Sequence, residues 1–384
     1  MAGTLRNMIL SRIRLCSFRN HAATSVEFGG GINAFLGANG QGKTSILEAV
    51  SYLSLTKSFY ASGDAEVIGI GAEGFELEGA FVSDAGVQHQ VLVRCTRVPQ
   101  EKKFLVNGTP PERFAAVIGR FPVVVLSPEN GSITFGGPGE RRKFMDLTLS
   151  QVSSAYLEDI LEYRKTLRQR NRILSDGRMQ GALRPGVIEP WTESLVVYGS
   201  RIAHRRALFA AEFRSHILSA YRRIMPEAEN PDISYLSGFR TEEGEDVRGY
   251  AARLSADLES RHSEERRRGL TLAGPHRDDL RLTINGMDVQ RFASQGQHKT
   301  LLVAMKIAEY SYMLERHNET PMFLLDDVFS ELDHARAHRI LEFAGGLGQV
   351  MITTTERTVF GRSVEWGNHN RRFTVERGTC RQEA

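Results

Sequence analysis

Cysteine is scarce in this 384-residue chain: Cys16, Cys95 and Cys380 lie far apart, and no C-x-x-C pair exists. That excludes a disulfide framework or a cysteine-rich zinc site and fits a reducing cytoplasm. Long apolar runs are missing too. The longest obvious one, FPVVVL at 121–126, suits a buried strand and is far too short to span a bilayer. The opening MAGTLRNMILSRIRL has scattered charges and no apolar core, so neither a signal peptide nor a membrane partner is expected. There is no internal repeat, no low-complexity tract and little charge imbalance, 49 Lys and Arg against 46 Asp and Glu. What remains is ordinary globular composition, 41% hydrophobic and 25% charged, in a chain long enough for two domains or lobes.

Glycine, by contrast, is concentrated where it matters. FLGANGQGKTS, residues 35–45, reads G-x-x-x-x-G-K-T from Gly37 to Thr44. Glycines let a backbone curl closely around an anion, and successive N–H groups plus the positive end of the next helix then point at it. Lys43 would reach the β and γ phosphates, and the Thr44 hydroxyl would ligate Mg²⁺. The flanks agree. GINAFLG is an apolar run ending in Gly, and TSILEAVSYLSL carries Ile46, Leu47, Val50 and Leu53 at helical spacing.

Two further stretches bear on the same chemistry. In FLLDDVFSELD, 323–333, an apolar strand ends in Asp326 and Asp327. An acid at such a strand tip can hold Mg²⁺ beside a phosphate loop, and Asp327 just beyond it could polarise an attacking water. A helix cap or acidic turn would give the same pattern. SQGQHKTLLVAMKIAEY opens at Ser294 with a polar cap before an apolar-sided helix. Ser294, Gln295 and Gly296 are either a plain N-cap or a second anion site. In the second case one γ-phosphate does not need two cradles from one subunit, so each subunit's second site would close over its partner's nucleotide.

Charge is uneven along the chain. From Arg141 to Arg223 sixteen Lys and Arg face eight Asp and Glu. Apolar and aromatic residues recur at helical spacing from Val152 to Leu174 and again from Trp191 to Ile224, predicting an αα-hairpin joined by SDGRMQGALRPGVIEP. Arg164, Lys165, Arg168, Arg170 and Arg172 crowd one end of the first helix; Arg201, His204, Arg205 and Arg206 sit on the second. This is a solvated face or a surface for a polyanion. YAARLSADLESRHSEERRRG reads as a helix, LTLAGPHRDDLRLTING as strands, and VNGTPP as a hairpin turn.

Together and in this order, the phosphate loop, SQGQ, LLDD and the SELD after it resemble the ABC-type ATPase heads of the SMC and Rad50 group, and within it the RecF family of bacterial recombination proteins. FRNH at 18–21, LSPENGSITFGGPGERRKFMD at 126–146, GPHRDDL at 274–280 and TTTE at 353–356 carry the same likeness over nearly the whole chain. The resemblance implies an α/β fold, an ABC-type P-loop ATPase head with a helical second lobe and no long coiled coil. Its layout would be ATPase lobe at 1–125, helical lobe at 126–265, and ATPase lobe again at 266–384 with the signature and Walker B motifs.

Residue by residue, the resemblance implies ATP contacts from Arg19, Asn20 and the loop Gly37, Ala38, Asn39, Gly40, Gln41, Gly42, Lys43, Thr44 and Ser45. Thr44 and Asp326 would hold Mg²⁺, and Lys43 and Asp327 would be catalytic. Ser294, Gln295, Gly296 and Gln297 would form a signature loop acting across an ATP-dependent homodimer, faced by Ser330 to Asp333. The family binds single-stranded and duplex DNA and gap junctions, hydrolyses ATP slowly, and works with RecO and RecR to load RecA in recombinational repair and replication restart. Two departures from the general ABC pattern, Asp327 for a usual Glu and Thr354 roughly where a switch His is expected, suit a slow switch. The alternatives are an ATPase subunit of a transporter, a small-molecule P-loop kinase, and a DNA scaffold that holds ATP without turnover. A transporter subunit would have a much shorter insert than the 251 residues from Lys43 to Ser294; a kinase would need neither a signature loop nor a basic lobe.

Overall fold

The computed structural model describes every residue except 1–6, 181–185, 226–228, 243, 330–332, 362 and 384, and the side chain of Gln180. The chain forms two compact units: Met1–Gly131 with Ala220–Glu227 and Leu302–Ala384, and Ser132–Ser219 with Ala228–Leu301. The elements begin with β1 (Ile9–Phe18), β2 (His21–Glu27), β3 (Ile32–Leu36), α1 (Lys43–Leu55), β4 (Gly74–Val82), β5 (Gln88–Thr96), β6 (Glu101–Val106) and β7 (Val123–Leu126). Then come α2 (Ser132–Phe135), α3 (Pro138–Val152), α4 (Ser154–Gln180), α5 (Glu189–Ile224), β8 (Pro231–Leu236), α6 (Val247–Ser260), α7 (His262–Arg268), β9 (Asp279–Ile284), β10 (Met287–Asp288), α8 (Val289–Phe292) and α9 (Gln295–Arg316). The chain closes with β11 (Met322–Asp326), α10 (His334–Gly345), β12 (Val350–Thr354), β13 (Arg371–Glu376) and β14 (Thr379–Gln382).

The first unit holds two sheets. An antiparallel sheet runs β2-β1-β4-β5-β6, and β4 alternates half-buried with buried residues, as a strand with one face on a core must. The other sheet runs β14-β13-β3-β12-β11-β7 and is parallel from β13 to β7. Every residue of β3, β7, β11 and β12 is buried, because a parallel sheet covered on both faces takes continuous apolar strands. α1 lies against strands of both sheets and is buried on all sides from Ile46 to Leu55. Tyr52 of this helix meets Phe18 and Phe75 edge-on at 5.8 and 5.4 Å, in a cluster whose members each stabilise the unit by about 1.5–3 kcal/mol. Because β3, β12 and β11 are parallel neighbours, their carboxyl ends share one edge, where open α/β sheets bind ligands.

The second unit is built on α4 and α5 with the antiparallel sheet β10-β9-β8. α4 runs on through Ser175–Gln180, where the periodicity predicts the connector; a single Gly in SDGRMQ costs a long helix little. GERRKFMDLTLSQV forms a separate helix, α3, entered through Pro138 at its first turn. The predicted helix at 250–269 is two, α6 and α7, and of LTLAGPHRDDLRLTING only β9 is a strand, since Gly274 and Pro275 turn the chain before it. The unit extends to Leu301 rather than 265 because β9 pairs with β8 and Arg141 of α3 grips Asp279 through two bonds of 2.7 and 2.9 Å.

The basic surface is also smaller than its sequence suggests. Arg170 and Arg206 are buried, not solvated. Arg170 donates to Thr192, Thr271 and Glu265, and Arg206 donates to Asp146, Asp278, Tyr156 and the Pro275 carbonyl. Arg164, Lys165, Arg168 and Arg172 of α4 and Arg201 and Arg205 of α5 stay exposed.

Candidate nucleotide-binding site

The phosphate loop leaves the end of β3 and enters α1 at Gly42. Two of its glycines are dictated by space. A Cβ at Gly37 would lie 2.3 Å from the Val375 carbonyl oxygen, and one at Gly42 would lie 2.6 Å from Asn20 Oδ1 and 2.7 Å from His21 Nε2. Gly42 also sits at φ 108°, a region that favours glycine. No side chain caps α1, so its first N–H groups are left for an anion. Ala38, Asn39 and Gly40 are exposed at the loop's crest. Gln41 turns away: its side-chain oxygen accepts from Arg377 N at 2.7 Å and its carbonyl from Gly378 N at 3.0 Å, tying the loop to the β13–β14 turn. Lys43 Nζ lies 2.7 and 2.8 Å from the Gly37 and Ala38 carbonyls. An ammonium carries three hydrogens, so one remains for a phosphate oxygen. Burial lowers the Lys43 pKa, and Asp327 and Asp326 oppose that shift.

Asp326 closes β11, which β12 separates from the strand that leads into the loop. Its Oδ1 accepts from Thr44 Oγ1 at 2.8 Å and from Thr353 Oγ1 at 2.7 Å. Thr353 stands opposite Asp326 in the β11–β12 register, and its Oγ1 also accepts from Asp327 N at 2.9 Å. Asp327 itself takes φ 48° and lines the cleft. Burial raises the Asp326 pKa, while the two threonine hydroxyls pull it down. Thr44 and Asp326 offer two adjacent hard oxygen donors, which suits Mg²⁺; that ion keeps waters and phosphate oxygens as its remaining ligands. Among the described residues no group of three His, Cys, Asp or Glu forms a closed metal cage.

Arg19 and Asn20 are the tip of the two-residue β1–β2 hairpin, which delivers them to the same cleft of about 710 Å³. Asn20 makes long side-chain contacts, 3.5 Å, to the Gly40 carbonyl and to Ser45 Oγ. Arg19 is held by Glu48 of α1 through paired bonds of 2.8 Å and by the Glu66 carbonyl at 3.1 Å. That ion pair raises the Arg19 pKa. Glu48, Thr353 and the apolar rim of Ile68, Ile70 and Ala72 were not singled out from the sequence. TTTE pointed at Thr353, but only strand register assigns it to Asp326.

Ser294, Gln295, Gly296 and Gln297 lie in the second unit at the start of α9. Ser294 N donates to Gln297 Oε1 at 2.8 Å and Gln297 N to Ser294 Oγ at 3.2 Å, a reciprocal capping box. Gln297 Nε2 also donates to Glu229, and Ser294 and Gln295 are exposed. Thr354 is buried at the end of β12, and its hydroxyl accepts from Glu356 N. Of the segment Ser330 to Asp333, the first three residues lie outside those described; Asp333 caps α10 through Arg336 N.

Residues 9–377 match the RecF/RecN/SMC N-terminal domain family. The chain is 42% identical over 359 residues to the DNA replication and repair protein RecF of Salinibacter ruber, covering 92% of this chain and 86% of the relative. Among solved structures it resembles the recombination mediator protein RecF with ATP, at a TM-score of 0.91 and 30% identity over 100% of both chains. The Smc head of Pyrococcus furiosus, at TM-score 0.57 and 14% identity over 98% of this chain and 96% of that one, shares the fold. Fold, motif order and these likenesses agree that the chain belongs to the RecF family of DNA replication and repair proteins, ABC-type ATPase heads within the wider RecF/RecN/SMC group.

Proposed function

We propose that this chain is an ATP-dependent DNA-binding switch of recombinational repair and replication restart, working in the cytoplasm. The observation that supports it most is the join between the two halves of the nucleotide site, the 2.8 Å bond from Thr44 of the phosphate loop to Asp326 of β11. Lys43 and the first N–H groups of α1 would hold the phosphates of ATP. Mg²⁺, when bound at Thr44 and Asp326, neutralises phosphate charge. Asp327 orients and polarises the attacking water. Its shorter side chain, in place of the usual Glu, favours slow turnover.

Ser294 to Gln297 act in trans in this reading, completing the partner's site so that ATP drives homodimerisation. DNA, single-stranded, duplex or at gap junctions, is met through the exposed arginines of α4 and α5, and RecO and RecR join the complex to load RecA. A scaffold that holds ATP without hydrolysing it is the alternative. Turnover of the native protein with DNA separates the two, and Lys43→Arg tests the site itself, since Arg keeps the charge but brings a planar fork in place of a compact ammonium. It is expected to bind ATP weakly and to lose turnover about a hundredfold or more. Wild-type turnover in Lys43→Arg would contradict the site assignment, and no turnover in the native protein with DNA would favour the scaffold.

A further inference from the structure

His21 follows Arg19 and Asn20 in the β1–β2 hairpin and borders the same cleft, yet only 1% of its surface is exposed. Its Nε2 lies 3.0 Å from the Gly42 carbonyl oxygen, and its Nδ1 lies 2.9 Å from Thr24 Oγ1. A carbonyl only accepts, so Nε2 carries the hydrogen. The single Thr24 hydroxyl hydrogen is shared between two acceptors, the ring Nδ1 and the Gly378 carbonyl at 2.8 Å, and the Gly378 N–H donates to Gln41 of the loop. The ring is therefore braced on one side by Thr24 and the β13–β14 turn and bears on the phosphate loop with the other.

The Gly42 carbonyl is a telling target. It is the first acceptor of α1, yet its helical bond to Ile46 N is long, 3.4 Å. In a trans peptide the C=O and the following N–H point in opposite directions. Fixing the Gly42 carbonyl against His21 therefore fixes the Lys43 N–H on the opposite side, toward the loop's concave face. The missing Cβ of Gly42 belongs to the same arrangement, since it would collide with His21 Nε2.

We infer that His21 is a positioning residue for ATP: through the Gly42 carbonyl it sets the peptide plane that presents the Lys43 N–H to the phosphates. This rests on ATP binding at the loop. The test measures ATP affinity and steady-state kinetics of the full chain with His21→Leu, His21→Gln and Thr24→Val, beside melting temperatures without nucleotide. His21→Leu removes the donor and is expected to weaken ATP binding about tenfold, with KM rising more than kcat falls. Gln can place an amide N–H near the Nε2 position and is expected to recover most of that loss. Thr24→Val keeps shape, loosens the ring, and is expected to weaken affinity about threefold; it carries the test should His21→Leu fail to fold. Native affinity in His21→Leu, or equal loss in Leu and Gln variants that melt alike, would overturn the inference while leaving ATP binding intact. Failure of the native chain to bind ATP would overturn both.

Discussion

Arg170 and Glu265 form a buried pair, with 2% and 0% of their side chains exposed and 2.6 Å between their charged atoms. Two charges this deep hold only because each guanidinium nitrogen and both carboxylate oxygens have a partner. Arg170 also binds Thr192 and Thr271, and the second Glu265 oxygen accepts from Leu272 N at 2.7 Å. Removing one partner leaves an uncompensated buried charge, whereas replacing both by apolar groups removes the desolvation cost as well. Arg170→Ala is therefore expected to destabilise the protein by about 3–5 kcal/mol in denaturant melts, and Arg170→Met with Glu265→Leu to recover most of it. A loss below about 1 kcal/mol in the single variant would show that solvent reaches the pair. Reversing Arg170 would thus report on folding, not on DNA.

At the scale of the element, α4 carries Arg164, Arg168 and Arg172 at intervals of four, one exposed stripe with Lys165 beside it. Arg164 is engaged with Asp146 at 2.9 Å. Lys165 and Arg172 meet acids at longer range, Glu162 at 3.5 Å and Asp176 at 4.0 Å, so with Arg168 they are the better probes. Their joint reversal to Glu is expected to weaken DNA binding at low salt, with ATP affinity unchanged. The slope of log affinity against log salt should flatten by about 0.9 for each duplex phosphate that the variant no longer neutralises. Unaltered DNA binding would return the stripe to an ordinary solvated surface. The same helix shows what sequence can carry. Its period was legible because Tyr156, Ile160 and Tyr163 face the core every three or four residues. Which arginines share that core was not, since Arg170 and Arg206 are buried by acceptors 95 and 72 residues away, Glu265 and Asp278. The phosphate loop was legible for the opposite reason: its geometry is local, set by glycines and a helix start. The links of Glu48 to Arg19 and of Thr353 to Asp326 were not legible, because a hairpin tip and a strand register make them.

At the scale of the molecule, the proposed nucleotide switch needs two copies of the chain. Each composite site would take Lys43 and Asp327 from one subunit and Ser294 from the other. Ser294→Arg is expected to leave ATP binding by the isolated chain intact and to abolish dimerisation and turnover. Asp327→Asn is expected to accumulate ATP-bound dimers without hydrolysis. Mixing the two should restore part of the turnover that neither has alone, since one site of the heterodimer carries both lesions and the other none. Loss of ATP binding by Ser294→Arg chains would mean that the loop acts within its own subunit. The most direct measurement is the mass of the native chain by light scattering with and without saturating Mg-ATP. The expected result is 42.9 kDa without nucleotide and about twice that with it; a mass that stays at the single-chain value at saturating ATP, for both the native chain and Asp327→Asn, would contradict the account.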